Sequence, residues 1–67
     1  MNVCLVALRV NRGLSVPAAA ARAGVATGTL RRAERGLSIR PGPAKRIADF
    51  YGRKVTDLWP VEASVAA

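Results

Sequence analysis

Glycine interrupts this chain at short intervals, at Gly13, Gly24, Gly36 and Gly52, and Pro41, Pro43 and Pro60 add further breaks. Glycine enters the left-handed backbone region without steric cost and so ends helices. Proline can start a helix but cannot continue one. The segments left between these breaks are roughly ten residues long, about the average globular helix. Alanine, leucine and arginine dominate them, and aromatics are few. The expectation is an all-α chain of five short helices with no strands.

The boundaries follow residue by residue. The first helix is expected from Asn2 to Arg12, stopping at Gly13. Ser15 then serves as N-cap for a second helix, Val16 to Ala23, in which Pro17 is tolerated in the first turn. Its run Ala18 to Ala21 has the highest helix propensity available. A third helix spans Ala26 to Arg35 and ends at Gly36, followed by a loop from Leu37 to Gly42. A fourth, Pro43 to Tyr51, places Ala44, Ile47, Ala48 and Tyr51 on one stripe at i, i+3, i+4, i+7. Thr56 is expected to cap a short fifth helix holding Asp57, Leu58 and Trp59. Residues 1–60 then form one domain, and 61–67 a C-terminal tail without pattern, expected to fray.

Sixty-seven residues allow one domain and a thin core. A chain of this size buries only about 60% of its unfolded surface. Eleven Lys/Arg against four Asp/Glu give a net charge of +7. A field that positive on so small a surface favours polyanions, nucleic acid first and anionic membrane second. One cysteine and no histidine exclude an internal disulfide and a four-ligand zinc site. No metal, cofactor or small-molecule ligand is expected, and Cys4 reads as a small buried apolar residue. Paired carboxylates, histidine and a phosphate-cradling loop are all missing, which speaks against an enzyme. The apolar start, Met1 to Val10, is too short to span a membrane and is not preceded by basic residues as a signal peptide would be. The expected location is the cytoplasm of a bacterium or phage-infected host, in association with the nucleoid.

The informative stretch is Ser15 to Gly36. Two short helices meet at Gly24-Val25. Ala20 is small where a large side chain would push the helices apart, Gly24 supplies the turn, Val25 plugs the gap, and Leu30 and Ala33 seat the third helix. This is a helix-turn-helix pattern. On a 3.6-residue wheel, Leu30, Ala33 and Leu37 fall on one side of the third helix. Thr27, Gly28, Arg31, Arg32 and Arg35 fall on the other. Small residues admit a helix into a groove, and arginines meet phosphate and guanine. A structural helix with a solvated basic face would carry the same arginines, but charge, register and turn agree on DNA. Glu34 is the one acid among these cations. It is expected to turn inward against Arg9.

Over residues 5 to 59 the chain resembles the phage repressor and Cro type of helix-turn-helix, the xenobiotic-response-element family. The resemblance is carried by Leu8-Arg9, Arg12-Gly13-Leu14-Ser15, Ala20-x-Arg22-Ala23-Gly24-Val25, Thr29-Leu30 and Glu34-Arg35-Gly36. It continues through Ile47-Ala48, Gly52, Val55 and Asp57-Leu58. The resemblance implies a compact five-helix lambda-repressor-like domain whose third helix lies in the major groove. It implies base reading by Thr27, Gly28 and Arg32, with Arg31 beside them. It implies backbone contacts from Ser15, Val16, Thr29, Arg35 and Arg40, and a partly buried Arg9–Glu34 ion pair. The partner implied is double-stranded DNA carrying a palindromic operator, met by a homodimer with half-sites about 34 Å apart. Two departures stand out: Ala26 replaces a capping Ser or Thr, and Gly28 replaces a larger base-reading side chain.

Two further surfaces are candidates for a partner or dimer contact. Val3, Val6, Ala7 and Val10 share the face of the first helix opposite Met1, Leu5, Leu8 and Arg12, the expected core side. Leu58, Trp59 and Val61 form the other candidate. Two alternatives remain. Gly24 to Arg32 is similar to the opening of mercury-resistance-type regulators and some excisionases, which have a winged helix with strands after the motif. An antitoxin or other protein-interaction module can share the helical fold, and the valine face would serve it.

Overall fold

The computed structural model describes residues 1–59, and among them there are five α-helices and no strand. α1 spans Val3–Asn11, α2 Val16–Ala23, α3 Thr27–Glu34, α4 Pro41–Tyr51 and α5 Val55–Leu58. Strands after the turn, as a winged helix requires, are not found among these residues, since α4 and α5 follow instead. The tail 61–67 and Val61 of the second candidate surface lie outside the described residues.

Each boundary has a local cause. Asn2 is a cap and not part of α1: its Oδ1 accepts from the Leu5 N–H at 3.2 Å. Ser15 Oγ does the same for Ala18 at the start of α2. Gly24 ends α2 at φ +78°, and the Gly24 and Val25 N–H groups both return to the Ala20 carbonyl. α3 starts after Ala26 without a side-chain cap. α4 begins two residues earlier than expected, at Pro41. Both Pro41 and Pro43 fall in the first turn, where a helix N–H has no intrahelical partner and its loss costs nothing. Thr56 is not the cap of α5. Lys54 holds that place, and its N–H donates to Asp57 Oδ2 at 3.1 Å.

Leu5, Leu30 and Ile47 are the large side chains shut away completely, one each from α1, α3 and α4. Burial of each contributes about 1.5–3 kcal/mol. Alanines at 19, 20, 33, 44 and 48 fill the spaces between them. They let α2 lie close against both α3 and α4, so the core is thin but continuous. Tyr51 and Leu58 close its lower end, with Leu8, Leu14, Val16, Val25, Ile39, Phe50 and Trp59 packed around. α1 rests on α3, and α5 on α4.

Four expectations fail here. Met1 is 85% exposed and Leu37 45%, so neither joins the core. Met1 precedes α1 and Leu37 follows α3, and the helical wheel does not apply to either. Cys4 is exposed. It sits about 100° round the helix from the buried Leu5. Leu58 is 2% exposed and belongs to the core, which removes it from any partner surface. Trp59 is half-buried against that core. Arg12 also differs in manner: it stays exposed, donates to the Phe50 carbonyl at 3.0 Å and lies over the Phe50 and Tyr51 rings.

Candidate nucleic-acid interface

α3 divides cleanly. Leu30, Ala33 and Glu34 are buried, whereas Gly28, Arg31, Arg32 and Arg35 are exposed. The spacing explains the split. Residues 30, 33 and 34 are i, i+3, i+4, one face of a helix, and the four exposed positions fall on the remaining arc. Thr27 and Thr29 stand half-buried at its two edges.

The start of α3 is open. With no side-chain cap on Ala26, the backbone N–H groups of Thr27, Gly28 and Thr29 have no intrahelical partner. They sit at the positive end of the helix dipole, which favours an approaching acceptor or anion. Gly28 leaves that end bare. A Cβ built there meets nothing within 4 Å, so the gap faces solvent and is not filled by the protein. α2 and α4 contrast with this. At α2, Ser15 occupies the Ala18 N–H and Pro17 has none, leaving Val16 N–H as the free first-turn donor. At α4, Pro41 and Pro43 leave only Gly42. The Ser15 hydroxyl is spent as acceptor on its own helix, but the Ser15 and Val16 backbone N–H groups donate to no partner among the described residues.

A cleft of about 410 Å³ lies along one flank of α3, lined by Thr29, Arg32, Ser38, Ile39, Arg40 and Pro43. It brings two guanidinium groups and two hydroxyls to the same edge, a donor set suited to phosphate oxygens. Arg32 and Arg40 are thus neighbours in space. Ser38 was not foreseen. It lies in the loop, where no helical period assigns it a side. Arg31 and Arg35 line a second cleft on the opposite flank, toward α1.

The position of α3 is locked from behind. Arg9 Nε donates to Glu34 Oε2 at 2.8 Å, and Arg9 Nη1 donates to the Leu14 carbonyl at 2.9 Å. The expected pair is therefore present, and it leaves the Glu34 charge away from the cationic face. Asn2 adds two ties: its N–H donates to the Glu34 carbonyl at 2.9 Å, and its Nδ2 to the Leu58 carbonyl at 2.9 Å. Arg46 Nη1 holds the turn through the Gly24 carbonyl at 3.2 Å. Tyr51 lies within electrostatic reach of the ion pair. Burial, then the Glu34 charge, push its phenol above the ordinary value of 10.0, against smaller lowering by Arg9 and Arg12. Its hydroxyl has no hydrogen-bond partner among the described residues.

Among the described residues, Val3 and Val10 are 70% and 59% exposed and Val6 is half-buried. Among the described residues no group of three or more His, Cys, Asp or Glu could hold a metal ion. Among the described residues no single helix is long and apolar enough to cross a membrane; α1 and α2 pass together by length and composition but bend by 92° between them.

The family model described as a helix-turn-helix domain matches residues 3–58. No curated protein and no solved structure matches the chain. The matched segment holds all five helices, the Gly24 turn and the exposed arginines of α3. A domain of this kind, associated with xenobiotic-response-element-like DNA binders, points to a DNA-binding regulator and not to an enzyme. The chain belongs to the helix-turn-helix domain family.

Proposed function

We propose that this protein is a sequence-specific, double-stranded DNA-binding transcriptional regulator of the Cro and repressor kind. α3 enters the major groove with its open N-terminus leading. Arg31 and Arg32, with Thr27 and the gap at Gly28, read base edges. Arg35, Arg40, Thr29 and the backbone N–H groups of Ser15 and Val16 engage phosphates. One observation carries the reading: α3 buries Leu30, Ala33 and Glu34 and, with its C-cap Arg35, turns a small residue and three arginines outward. An arginine paired bidentately with guanine discriminates by about 1–3 kcal/mol.

The regulator acts as a homodimer on a palindromic operator, in the cytoplasm, in association with the nucleoid. Val3 and Val10, on the outer face of α1, are the dimer contact. Selection from random-sequence duplexes, followed by a salt titration, tests all of this at once. The expected result is an enriched palindrome with half-sites about one helical turn apart. Recovery of no preferred sequence would remove base reading, and recovery of a single half-site would remove the dimer.

A further inference from the structure

Charge and apolar surface meet at the edge of the exposed arc of α3 that faces α1. A cleft of about 300 Å³ opens between α1 and α3, lined by Met1, Val6, Arg9, Arg31, Glu34 and Arg35. Arg9 and Glu34 neutralise each other at its base, and Arg9 Nη1 donates to the Leu14 carbonyl. The free cations are then Arg31 and Arg35. They are four residues apart, so they stand one above the other on the same side of α3. Neither forms an ion pair among the described residues. Across from them are the exposed Met1 and the half-buried Val6.

These two halves ask for different things. A DNA duplex offers base edges and phosphates to Arg31 and Arg35 but nothing to Met1 and Val6. A second copy of this chain is a poor match: of its described acids, Glu34 is buried in its own ion pair, Asp57 accepts from the Lys54 N–H, and the exposed Asp49 is a single carboxylate with Lys45, Arg46 and Arg53 one turn away and no second acid beside it. A polypeptide with carboxylates one turn apart and an aliphatic side chain beside them matches both halves. Arginine forks take carboxylates in a fixed planar geometry, and an apolar centre with a charged rim is how protein interfaces are built. We propose that the α1–α3 cleft docks an acidic, aliphatic polypeptide segment of a partner protein, and that the docked segment keeps α3 off DNA. The exclusion rests on the DNA-binding reading above; the docking does not.

The probe is a fluorescein-labelled helical peptide with two glutamates one turn apart and leucines on the adjoining face. A second peptide carries serine in place of leucine. Binding is read by anisotropy at one fixed salt concentration, with and without a mixed-sequence duplex. The leucine peptide is expected to bind and to be displaced by duplex. Val6→Thr keeps the shape of the side chain and leaves a hydroxyl in the cleft. It is expected to weaken peptide binding about tenfold or more and to leave duplex affinity unchanged, with helicity checked by circular dichroism. Equal binding of the serine and leucine peptides to the parent protein would overturn the proposal, since only general attraction to a cation would remain. So would a folded Val6→Thr variant with unchanged peptide affinity. Simultaneous binding of peptide and duplex would overturn the exclusion. A parent protein that binds no duplex yet docks the leucine peptide in a Val6-dependent way would sink the DNA reading and sustain this one.

Discussion

α1 and α3 differ by one residue in length and bury their inner sides in the same core, but their outer sides have opposite chemistry. Outward α1 shows Val3, Cys4, Ala7 and Val10; outward α3 shows Gly28, Arg31, Arg32 and Arg35. The core needs only Leu5 from one and Leu30 with Ala33 from the other. It places no demand on the outer residues, so those are free to serve partners. The two helices are joined by a contact that is not apolar at all, Arg9 to Glu34. That contact is the first place to break the comparison. Glu34→Ala strands a largely buried guanidinium and is expected to cost about 3 kcal/mol or more. The double change Arg9→Met with Glu34→Leu, which removes both charges, is expected to restore most of that loss. Urea unfolding of the three proteins measures it. Equal midpoints for parent and Glu34→Ala would mean that the pair does not hold α3 in place.

The second test separates two arginines that share one cleft. Arg32 is on α3, and Arg40 caps α4 across from it. Arg32→Ala is expected to lose about 1–3 kcal/mol of discrimination at one base position. Arg40→Ala is expected to weaken all sequences alike and flatten the salt slope by about one unit. Binding titrations against the selected site and single-base variants decide it. A uniform loss for both variants would move Arg32 from the bases to the backbone.

Much of this was legible in the chain, for identifiable reasons. Gly24 and Gly52 marked their helix ends because positive φ favours glycine there. Ala44, Ile47, Ala48 and Tyr51 followed the helical period and all are buried. Glu34 betrayed its inward direction by being alone among cations. The failures lie where no period operates. Met1, Leu37 and Ser38 stand outside helices, so a wheel says nothing of their direction. Asn2 and Lys54 act at helix starts, where a shift of one or two residues changes which residue is the cap. Leu58 looked like a surface residue on a four-residue helix because its burial depends on α4, far away in sequence from the motif.

Tyr51 lies where the inner sides of the helices meet, and it sharpens the contrast from below. Its hydroxyl is buried without a partner, so Tyr51→Phe is expected to raise stability by about 1 kcal/mol. The pH response has a definite sign. The folded phenol holds its proton above the unfolded value of 10.0, so the folded protein binds more protons than the unfolded one there. Stability is therefore constant below pH 10 on this account and falls as pH rises past it. Tyr51→Phe is expected to remove that part of the fall. Thermal unfolding from neutral to alkaline pH measures both effects, and identical curves for the two proteins would show that the hydroxyl is solvated.

Gly28 offers a smaller change on the outer side of α3. Its φ is not positive, and a Cβ there touches nothing. Gly28→Ala is expected to stabilise the free protein by about 0.4–1 kcal/mol, chiefly by restricting the unfolded chain. If DNA affinity falls while stability rises, the missing side chain belongs to the groove. Unchanged affinity would place residue 28 away from the bases.

The smallest effect on folding is expected on the outer side of α1. Val3→Ser with Val10→Ser removes apolar surface that the monomer does not bury, so the unfolding free energy is expected to shift by no more than about 0.5 kcal/mol. Self-association is the quantity that should respond. Sedimentation at rising concentration is expected to show the parent dimerising and the double variant remaining monomeric. A large drop in stability at low concentration would mean that the valines support the core after all, and the division between an inner side for folding and an outer side for partners would fail on α1. Equal masses with equal stability would leave that division intact and move the dimer contact to another surface. The same two measurements on Arg31→Ser would then show whether the outer side of α3 is as dispensable to the fold as that of α1, which the burial of only Leu30, Ala33 and Glu34 on α3 requires.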